Sequence, residues 1–371
     1  MATDLPMWQA PLLADGSVDW TNQDREAWIG SVNYDQSLTR LPHPEVRYEV
    51  TDHCNAECVM CPRDKHKHGR PHGTMALEAY QTSVREVVAL GCTHIVLTGF
   101  GEPLLDRTLE EKIKIAKAHD CHTYMITNAS LLTAARARAL IEAGLDEMRI
   151  SYYGMTKPSY ERVMQHLDYE TTTANILQLL DLRRAYGLPR PVIEMNWLDL
   201  AENAGDLEHF RAFWGPRVDA ISIWKPHNFT TGRDYRPLDQ GEKTTCGRPA
   251  HGPLQIQWDG SVIPCCFDYN NALILGNAFT TPVLDILNST KYRLLRRAHA
   301  TKTFGLFPLC NSCDQLLPHA DALIYTNRHT LSPEDAVTRS NTDLYDLAAG
   351  EAIQPEQLGP RYRARMEAAE D

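Results

Sequence analysis

Short apolar runs alternate with amphipathic stretches along the chain from Val46 onward. The apolar runs are VRYEVT, HIVLTGF, HTYMITN, EMRISYY, PVIEMNW and AISIWKP. The stretches between them have helical periodicity, as in ALEAYQTSVREVVAL and TTANILQLLDLRRAYG. A strand followed by a helix, repeated about six times, predicts an α/β fold with a parallel sheet and right-handed crossovers. A partial (β/α)6 barrel of the TIM type fits this pattern, and functional residues are then expected at the carboxyl ends of the strands.

The pattern changes after Asn228, and this change predicts the organisation of the chain. We expect a mostly irregular lead-in over 1–45, the barrel over 46–228, a small second domain over 229–318 and an acidic extension over 319–371. The second domain contains a hairpin-like run, IQWDGSVIPCC, and a stretch that predicts one helix, TPVLDILNSTKYRLLRRAHA.

Composition narrows the class of protein. The chain has 371 residues, with Lys+Arg 37 against Asp+Glu 48 and a net charge of −11. This acidic balance argues against a nucleic-acid partner, and no apolar run is long enough to predict a membrane span. The N-terminus does not have the pattern of a signal peptide. Ten cysteines in such a chain therefore indicate metal or redox chemistry in a reducing compartment, and we expect a cytoplasmic protein.

Three cysteines follow the first predicted strand within one short loop. Cys54, Cys58 and Cys61 have the spacing C-x3-C-x2-C. Their thiolates can hold three irons of a [4Fe–4S] cluster, which leaves the fourth iron for a ligand that is not protein. The alternative is a zinc knuckle, in which His53 or a distant residue supplies the fourth ligand.

A glycine-rich turn follows the second predicted strand. Gly99, Gly101 and Glu102 belong to the sequence TGFGEP, in which glycines allow close approach of the backbone to a ligand. Together with the three-cysteine loop, this turn resembles the radical S-adenosylmethionine (radical SAM) superfamily. The resemblance implies a [4Fe–4S] cluster on the three cysteines, with S-adenosylmethionine on the open iron and its ammonium held by this turn. It also implies that Met60, at a position that is usually aromatic in the family, contacts the adenine.

Polar residues also end the later strands. The resemblance implies that Asn128 and Ser151 contact the bound cofactor, and the alternative is that they cap the next helices. Glu194, Lys225 and His227 end the fifth and sixth strands, where they are candidate bases facing a substrate. Each could instead be a structural ion-pair or hydrogen-bonding residue.

Four more cysteines form a second pattern. Cys246, Cys265, Cys310 and Cys313 resemble the first part of the SPASM family's pattern and its shorter variant, the twitch domain. This resemblance implies one auxiliary [4Fe–4S] cluster on four thiolates. The alternative is a zinc ribbon on the same thiolates. Either metal would stabilise a domain too small for a sufficient core.

One cysteine of the second domain remains outside that pattern. Cys266, beside Cys265, could donate a hydrogen atom to a substrate radical, as sugar epimerases of the superfamily do. The alternative is a small buried packing residue.

The resemblance implies a radical enzyme with two [4Fe–4S] clusters and S-adenosylmethionine, reduced by flavodoxin or ferredoxin. We expect hydrogen abstraction from a small polar substrate in natural product biosynthesis, such as a sugar, aminocyclitol or nucleoside. Net oxidation through the auxiliary cluster would make it a dehydrogenase-type oxidoreductase. The alternatives are an epimerase that uses Cys266, a peptide maturase with a separate recognition partner, and a non-catalytic iron–sulfur or zinc scaffold.

Overall fold

The computed structural model describes residues 37–63, 69–235, 243, 245–316 and 323–327. Most of the predicted lead-in and most of the predicted acidic extension lie outside these residues. In the described part of the chain, no helix is long and apolar enough to cross a membrane.

Six parallel strands form the centre of the fold. They are β1 (Glu45–Tyr48), β2 (His94–Leu97), β3 (His122–Thr127), β4 (Glu147–Ser151), β5 (Val192–Leu198) and β6 (Ala220–Trp224). Each strand pairs with the next in chain order, from β1 to β6. All six predicted strands are therefore confirmed, and they form the predicted partial (β/α)6 barrel.

Helices cover the outside of this barrel. They are α1 (Leu77–Ala89), α2 (Leu109–Lys117), α3 (Ala134–Ala143), α4 (Lys157–Val163), α5 (Tyr169–Ala185) and α6 (Leu207–Trp214). The apolar periodicity predicted α1, α2, α3 and α5 but not the shorter α4 and α6. The start of α4 has a local signal nevertheless, because Thr156 and Ser159 form a reciprocal capping box.

The second cysteine region adds strands to the barrel sheet. Its elements are α7 (Arg248–His251), β7 (Leu254–Ile256), β8 (Ser261–Ile263), β9 (Gly276–Asn277), α8 (Val283–Leu287), α9 (Thr290–Thr301) and α10 (Pro308–Asn311). Strand β7 pairs in parallel with β1, and β8 and β9 continue antiparallel beyond it. The predicted hairpin is thus confirmed as β7–β8.

Two findings differ from the sequence pattern. The single helix predicted over TPVLDILNSTKYRLLRRAHA is wrong, because the chain forms α8 and α9 there. Ser289 separates them by accepting a hydrogen bond from the Tyr292 amide at 3.3 Å, which caps α9. In addition, Leu323–Thr326, within the predicted extension, forms β10 antiparallel to β6.

Alternation along β1 shows why charged residues occupy the inside of the barrel. Val46 and Tyr48 are fully buried, and the Tyr48 ring packs edge-on against Tyr80 of α1 with centroids 5.0 Å apart. Arg47 and Glu49 point to the other face, where both line the central cavity. Val46 and Tyr48 are therefore buried on the outer face of β1, where Tyr48 packs against α1. Arg47 and Glu49 face the cavity inside the barrel.

Candidate active site

A cavity of about 380 Å³ opens at the carboxyl ends of the barrel strands. Its wall contains residues from the loops after β1 and β2 and from the ends of β3 to β6. It also contains residues of the second cysteine region, among them Arg248, Cys266 and Phe267. A cavity thus lies where functional residues were predicted, and both cysteine regions contribute to its wall. Its role as the active site remains a prediction.

The loop after β1 brings its three cysteines to one wall of this cavity. Cys54, Cys58 and Cys61 all line it. The Val59 amide donates to the Val163 carbonyl at 3.0 Å, so the end of α4 supports the loop. The Cys61 amide donates to the Cys58 carbonyl at 3.0 Å, which closes the turn between the last two cysteines.

Arg233, which the sequence pattern did not indicate, holds the same loop from the connector after β6. Its Nε donates to the Val59 carbonyl at 2.9 Å, and its Nη2 donates to the Cys61 carbonyl. The contact joins residues more than 170 positions apart, so no local pattern could reveal it. A charged guanidinium thus positions the backbone of the cysteine loop.

The thiols of this loop need a cation to ionise. Burial raises the pKa of Cys54 to about 11 and raises the pKa of Cys58 well above its ordinary value. Burial also raises the pKa of Cys61, although hydrogen bonding and nearby Arg63 and Arg233 oppose it. A bound metal reverses this preference, because a coordinating thiol is deprotonated outright.

The glycines of the turn after β2 are required by close packing. A Cβ on Gly99 would collide with the Glu49 side chain, and a Cβ on Gly101 would collide with the Thr51 carbonyl and lie 2.7 Å from the His53 carbonyl. Both glycines line the cavity. The turn therefore lies directly against the backbone that precedes Cys54.

Glu102 ties the end of β2 to the end of β3. Its carboxylate accepts hydrogen bonds from the Leu104 amide at 3.1 Å, the Thr127 hydroxyl at 2.6 Å and the Asn128 amide at 2.8 Å. Burial raises its pKa in spite of these donors. Glu102 lines the cavity, and holding an ammonium there remains a prediction.

Asn128 and Ser151 both line the cavity at the ends of β3 and β4. The Asn128 side chain donates to Asn55 Oδ1 at 3.1 Å and accepts from the Ser130 amide at 2.9 Å. Asn128 therefore caps a local turn and ties β3 to the cysteine loop. The alternative that Asn128 and Ser151 cap the next helices is wrong, because Thr133 and Thr156 occupy those cap positions. Contact of either residue with a cofactor remains a prediction.

Two further residues complete this side of the cavity. Met60 is buried at the wall, and its contact with adenine remains a prediction. Glu49 was not predicted. A charged residue that alternates with buried apolar residues along a barrel strand could have indicated that Glu49 faces the cavity. Its Oε2 accepts from the Phe100 amide at 3.0 Å and from Arg70 at 2.5 Å, whereas buried Oε1 has no hydrogen bond within the described residues.

The three candidate bases occupy different places. Lys225 and His227 line the cavity, and the His227 ring lies 4.4 Å from the Phe267 ring. Glu194 does not belong to the lining among the described residues. It is buried with Oε2 at 3.1 Å from Arg149, and it accepts a hydrogen bond from the Ser222 hydroxyl. This pairing favours the structural alternative for Glu194, and the roles of Lys225 and His227 remain predictions.

The second set of cysteines is gathered beside the cavity. Cys246, Cys310 and Cys313 pack with Phe304 and Leu316 in a small buried cluster. The Cys313 amide donates to the Cys310 carbonyl at 3.0 Å, the same turn that closes the first loop.

The fourth cysteine is electrostatically coupled to this cluster. Burial raises the pKa of Cys265 well above its usual range, and Cys266, Cys246 and Cys313 add to the effect. Binding of one metal group by Cys265 and the three thiols of this cluster remains a prediction. We call these four residues, Cys246, Cys265, Cys310 and Cys313, the second thiol site.

His299 of α9 supports the second thiol site and was not predicted. Its Nδ1 lies 3.0 Å from the Thr245 hydroxyl and 3.9 Å from Cys246 Sγ. Nε2 is buried without a hydrogen bond in the described part of the chain. Burial and the charge of Arg248 lower the pKa of His299 to about 4, so the imidazole is neutral near pH 7.

The distances between thiol sulfurs can be compared with those of a zinc site. In a zinc site of four thiolates, sulfurs lie about 3.8 Å apart, because Zn–S bonds are about 2.3 Å long in a tetrahedron. Within the described residues, which include all ten cysteines, no three thiol sulfurs lie within 4.8 Å of one another. Neither set is therefore packed as tightly as the sulfurs of a four-thiolate zinc site.

Comparison with protein families agrees with this geometry. Residues 48–213 match the model of the radical SAM superfamily, and residues 246–314 match SPASM, an iron–sulfur cluster-binding domain. The chain therefore contains a radical SAM domain. More particularly, a SPASM domain follows its radical SAM domain. These domains imply a [4Fe–4S] cluster with S-adenosylmethionine and additional iron–sulfur binding.

Curated relatives divide between two activities. A GTP 3′,8-cyclase of Pelotomaculum thermopropionicum is 34% identical over 120 residues, which cover 32% of this chain and 37% of the relative. The chain thus matches little more than a third of that relative's length. An S-adenosyl-L-methionine-dependent 2-deoxy-scyllo-inosamine dehydrogenase of Niallia circulans is 21% identical over 275 residues, covering 73% of this chain and 92% of the relative.

Solved structures share the fold. BtrN in complex with AdoMet and 2-DOIA has a TM-score of 0.52 at 19% identity, covering 74% of this chain and 94% of that chain. Streptococcus suis SuiB bound to precursor peptide SuiA has a TM-score of 0.54 at 14% identity, covering 84% of this chain and 79% of that chain. The fold of this chain is therefore one that both of these solved proteins share.

Proposed function

We propose that the chain is an oxidoreductase that removes a hydrogen atom from a small polar molecule and passes an electron from that molecule to a second cluster. One observation carries the proposal. The cavity that is lined by Cys54, Cys58 and Cys61 is also lined by Arg248 and Cys266, which border the second thiol site. A molecule bound there would lie between the two metal groups.

The proposed roles of the residues follow from their positions. Cys54, Cys58 and Cys61 would hold the first cluster, and the second thiol site would hold the other. When bound, the first cluster and S-adenosylmethionine supply a hydrogen-abstracting radical, and the second cluster supplies an electron acceptor.

The chain's own groups would position the substrate and take its proton. Lys225 and His227, at the end of β6, are the proposed bases, since both line the cavity. His227 is fixed by Phe229, whose ring centroid lies 3.9 Å away, and by Phe267. Removal of a hydrogen atom, a proton and an electron amounts to net two-electron oxidation. A reduced flavodoxin or ferredoxin is the proposed electron donor.

The substrate class rests on the 2-deoxy-scyllo-inosamine dehydrogenase, which matches along most of its own length. S-adenosylmethionine would occupy part of the cavity of about 380 Å³, so the space left for a substrate is small. A sugar, aminocyclitol or nucleoside is small enough to be a candidate. A compact substrate is therefore proposed over a long peptide.

The experiment separates hydrogen abstraction from oxidation. Anaerobic wild type would be screened with sugars, aminocyclitols and nucleosides for 5′-deoxyadenosine formation above the substrate-free level. With an active compound, Cys310→Ser/Cys313→Ser should still form 5′-deoxyadenosine but yield no oxidised product. An oxidised product from that variant at the wild-type rate would contradict electron transfer to the second cluster.

A second candidate is epimerisation, favoured by the position of Cys266 on the cavity wall. Its thiol could return a hydrogen atom to the substrate radical, so that no net oxidation occurs. Deuterium incorporation from D₂O into the product, lost in Cys266→Ala, would support this candidate. Formation of an oxidised product without such incorporation would support the dehydrogenase.

A further inference from the structure

Arg248 lies between the second thiol site and the cavity. It follows Cys246 by two residues and begins α7. Its guanidinium carbon lies 4.7 Å from the centre of the Phe267 ring, and Phe267 directly follows Cys265 and Cys266. The side chain is nine-tenths buried, with 7% of the residue exposed, and it lines the cavity. The sequence pattern did not indicate this residue.

The charge of Arg248 is permanent at this position. Burial by itself would lower its pKa, but the surrounding thiols, Cys266 first and then the cysteines of the second thiol site, raise it above the ordinary value. Guanidinium is not deprotonated in proteins.

We propose that Arg248 tunes the electron affinity of the second cluster, a role that rests on the proposed function. A cluster that accepts one electron becomes more negative by one charge, and a nearby buried cation stabilises this reduced form. The attraction is strong because Arg248 and the thiols are both shielded from water and salt.

This role fits the direction of the proposed reaction. The electron comes from the substrate radical, which is formed by loss of a hydrogen atom and loses a proton to a base of the cavity. A higher electron affinity of the acceptor makes that transfer more favourable. Arg248 borders both the donor's cavity and the acceptor's thiols, so it is a tuning residue rather than a base or a ligand.

The test measures the second cluster alone, without substrate. In a Cys54→Ala/Cys58→Ala/Cys61→Ala background, the reduction potential would be titrated by electron paramagnetic resonance for Arg248, Arg248→Lys and Arg248→Met. Arg184→Met is the matched control, because it removes the same charge from an exposed side chain paired with Asp181.

The expected result is graded by charge. Arg248→Met should lower the equilibrium constant for one-electron reduction at least tenfold, which is about 59 mV for a one-electron couple. Arg248→Lys should stay within about threefold of the parent, and Arg184→Met should match it. If Arg248→Met does not retain iron, the neutral Arg248→Gln takes its place in the comparison.

Two results would overturn the inference, and they are distinguishable. An unchanged potential in a neutral variant that retains about four irons would remove the tuning role and leave the proposed function intact. Absence of iron from the background protein itself would remove the second cluster, and with it both the inference and the proposed oxidation.

Discussion

The two thiol sites of this chain are held in different ways. Cys54, Cys58 and Cys61 belong to one loop, which backbone hydrogen bonds fix against the end of α4 and against Arg233. The second thiol site is assembled from segments up to 67 positions apart, and short helices and the side chains of Phe304 and Leu316 surround it.

This difference indicates different tasks. The first loop has its shape from the protein itself and presents three thiols to a cavity, which leaves space for an exchangeable ligand on the fourth iron. The second thiol site offers four thiols and little apolar packing. A metal group bound there would serve partly as a structural staple, and a cluster ligated by all four thiols would suit electron transfer.

Removal of two ligands from the second thiol site should give the largest structural effect. Cys310→Ser/Cys313→Ser should make residues 246–316 at least tenfold more sensitive to limited proteolysis, because bound metal contributes a large share of the stability of such small domains. The barrel should keep its circular dichroism and its 5′-deoxyadenosine formation. Equal protease resistance in wild type and variant would show that packing alone holds this region.

A larger side chain in the turn after β2 should impair the three-cysteine site and leave the second thiol site unaffected. Gly101→Ala places a Cβ against the Thr51 carbonyl, so the backbone before Cys54 must shift at a cost of about 1–3 kcal/mol. We expect at least a tenfold loss of 5′-deoxyadenosine formation with about four irons still bound at the second thiol site. Gly305→Ala, in open space, is the matched control. Wild-type activity of Gly101→Ala would contradict the packing argument.

Removal of the Arg233 contact should weaken the first loop more mildly. Arg233→Met deletes hydrogen bonds to the carbonyls of Val59 and Cys61, each worth about 1.5–3 kcal/mol when charged. Chelators should then extract iron from the first site several-fold faster than from wild type. The second thiol site should lose iron at the wild-type rate, and Arg233→Lys should lie between the two. Faster loss from both sites would indicate a general effect on folding.

The smallest effect is expected at the contact between β3 and the cysteine loop. Asn128→Ala removes the hydrogen bond to Asn55 and the cap on the Ser130 amide, together worth about 1–2 kcal/mol. We expect a modest decrease in thermal stability and weaker binding of S-adenosylmethionine by equilibrium dialysis. Unchanged binding would leave Asn128 with a purely structural role.

Local patterns in the sequence were sufficient for the barrel and for both cysteine sets. Short apolar runs predicted all six strands, because parallel strands that are covered by helices are largely apolar. The spacing of Cys54, Cys58 and Cys61 could be read because one short loop carries all three. The division of TPVLDILNSTKYRLLRRAHA into two helices was missed, although Ser289 is a typical N-cap and gave a local signal for it.

Long-range contacts account for what the sequence did not show. Arg233 reaches the first cysteine loop across more than 170 positions, and Arg248 packs on Phe267, 19 positions away. Neither belongs to a pattern of fixed spacing. Parallel pairing of β7 with β1 joins residues about 200 positions apart, so the added strands could not be placed in the barrel sheet. The pairing of Glu194 with Arg149 across β4 and β5 depends on register, which the sequence does not specify.

The most direct test of two distinct clusters at one cavity is a parallel count of iron and of 5′-deoxyadenosine. Anaerobically reconstituted wild type should contain about eight irons per chain, and Cys54→Ala/Cys58→Ala/Cys61→Ala about four. Dithionite with S-adenosylmethionine should give 5′-deoxyadenosine only with an intact first loop. About four irons in wild type, or nucleoside from the triple variant, would contradict the account.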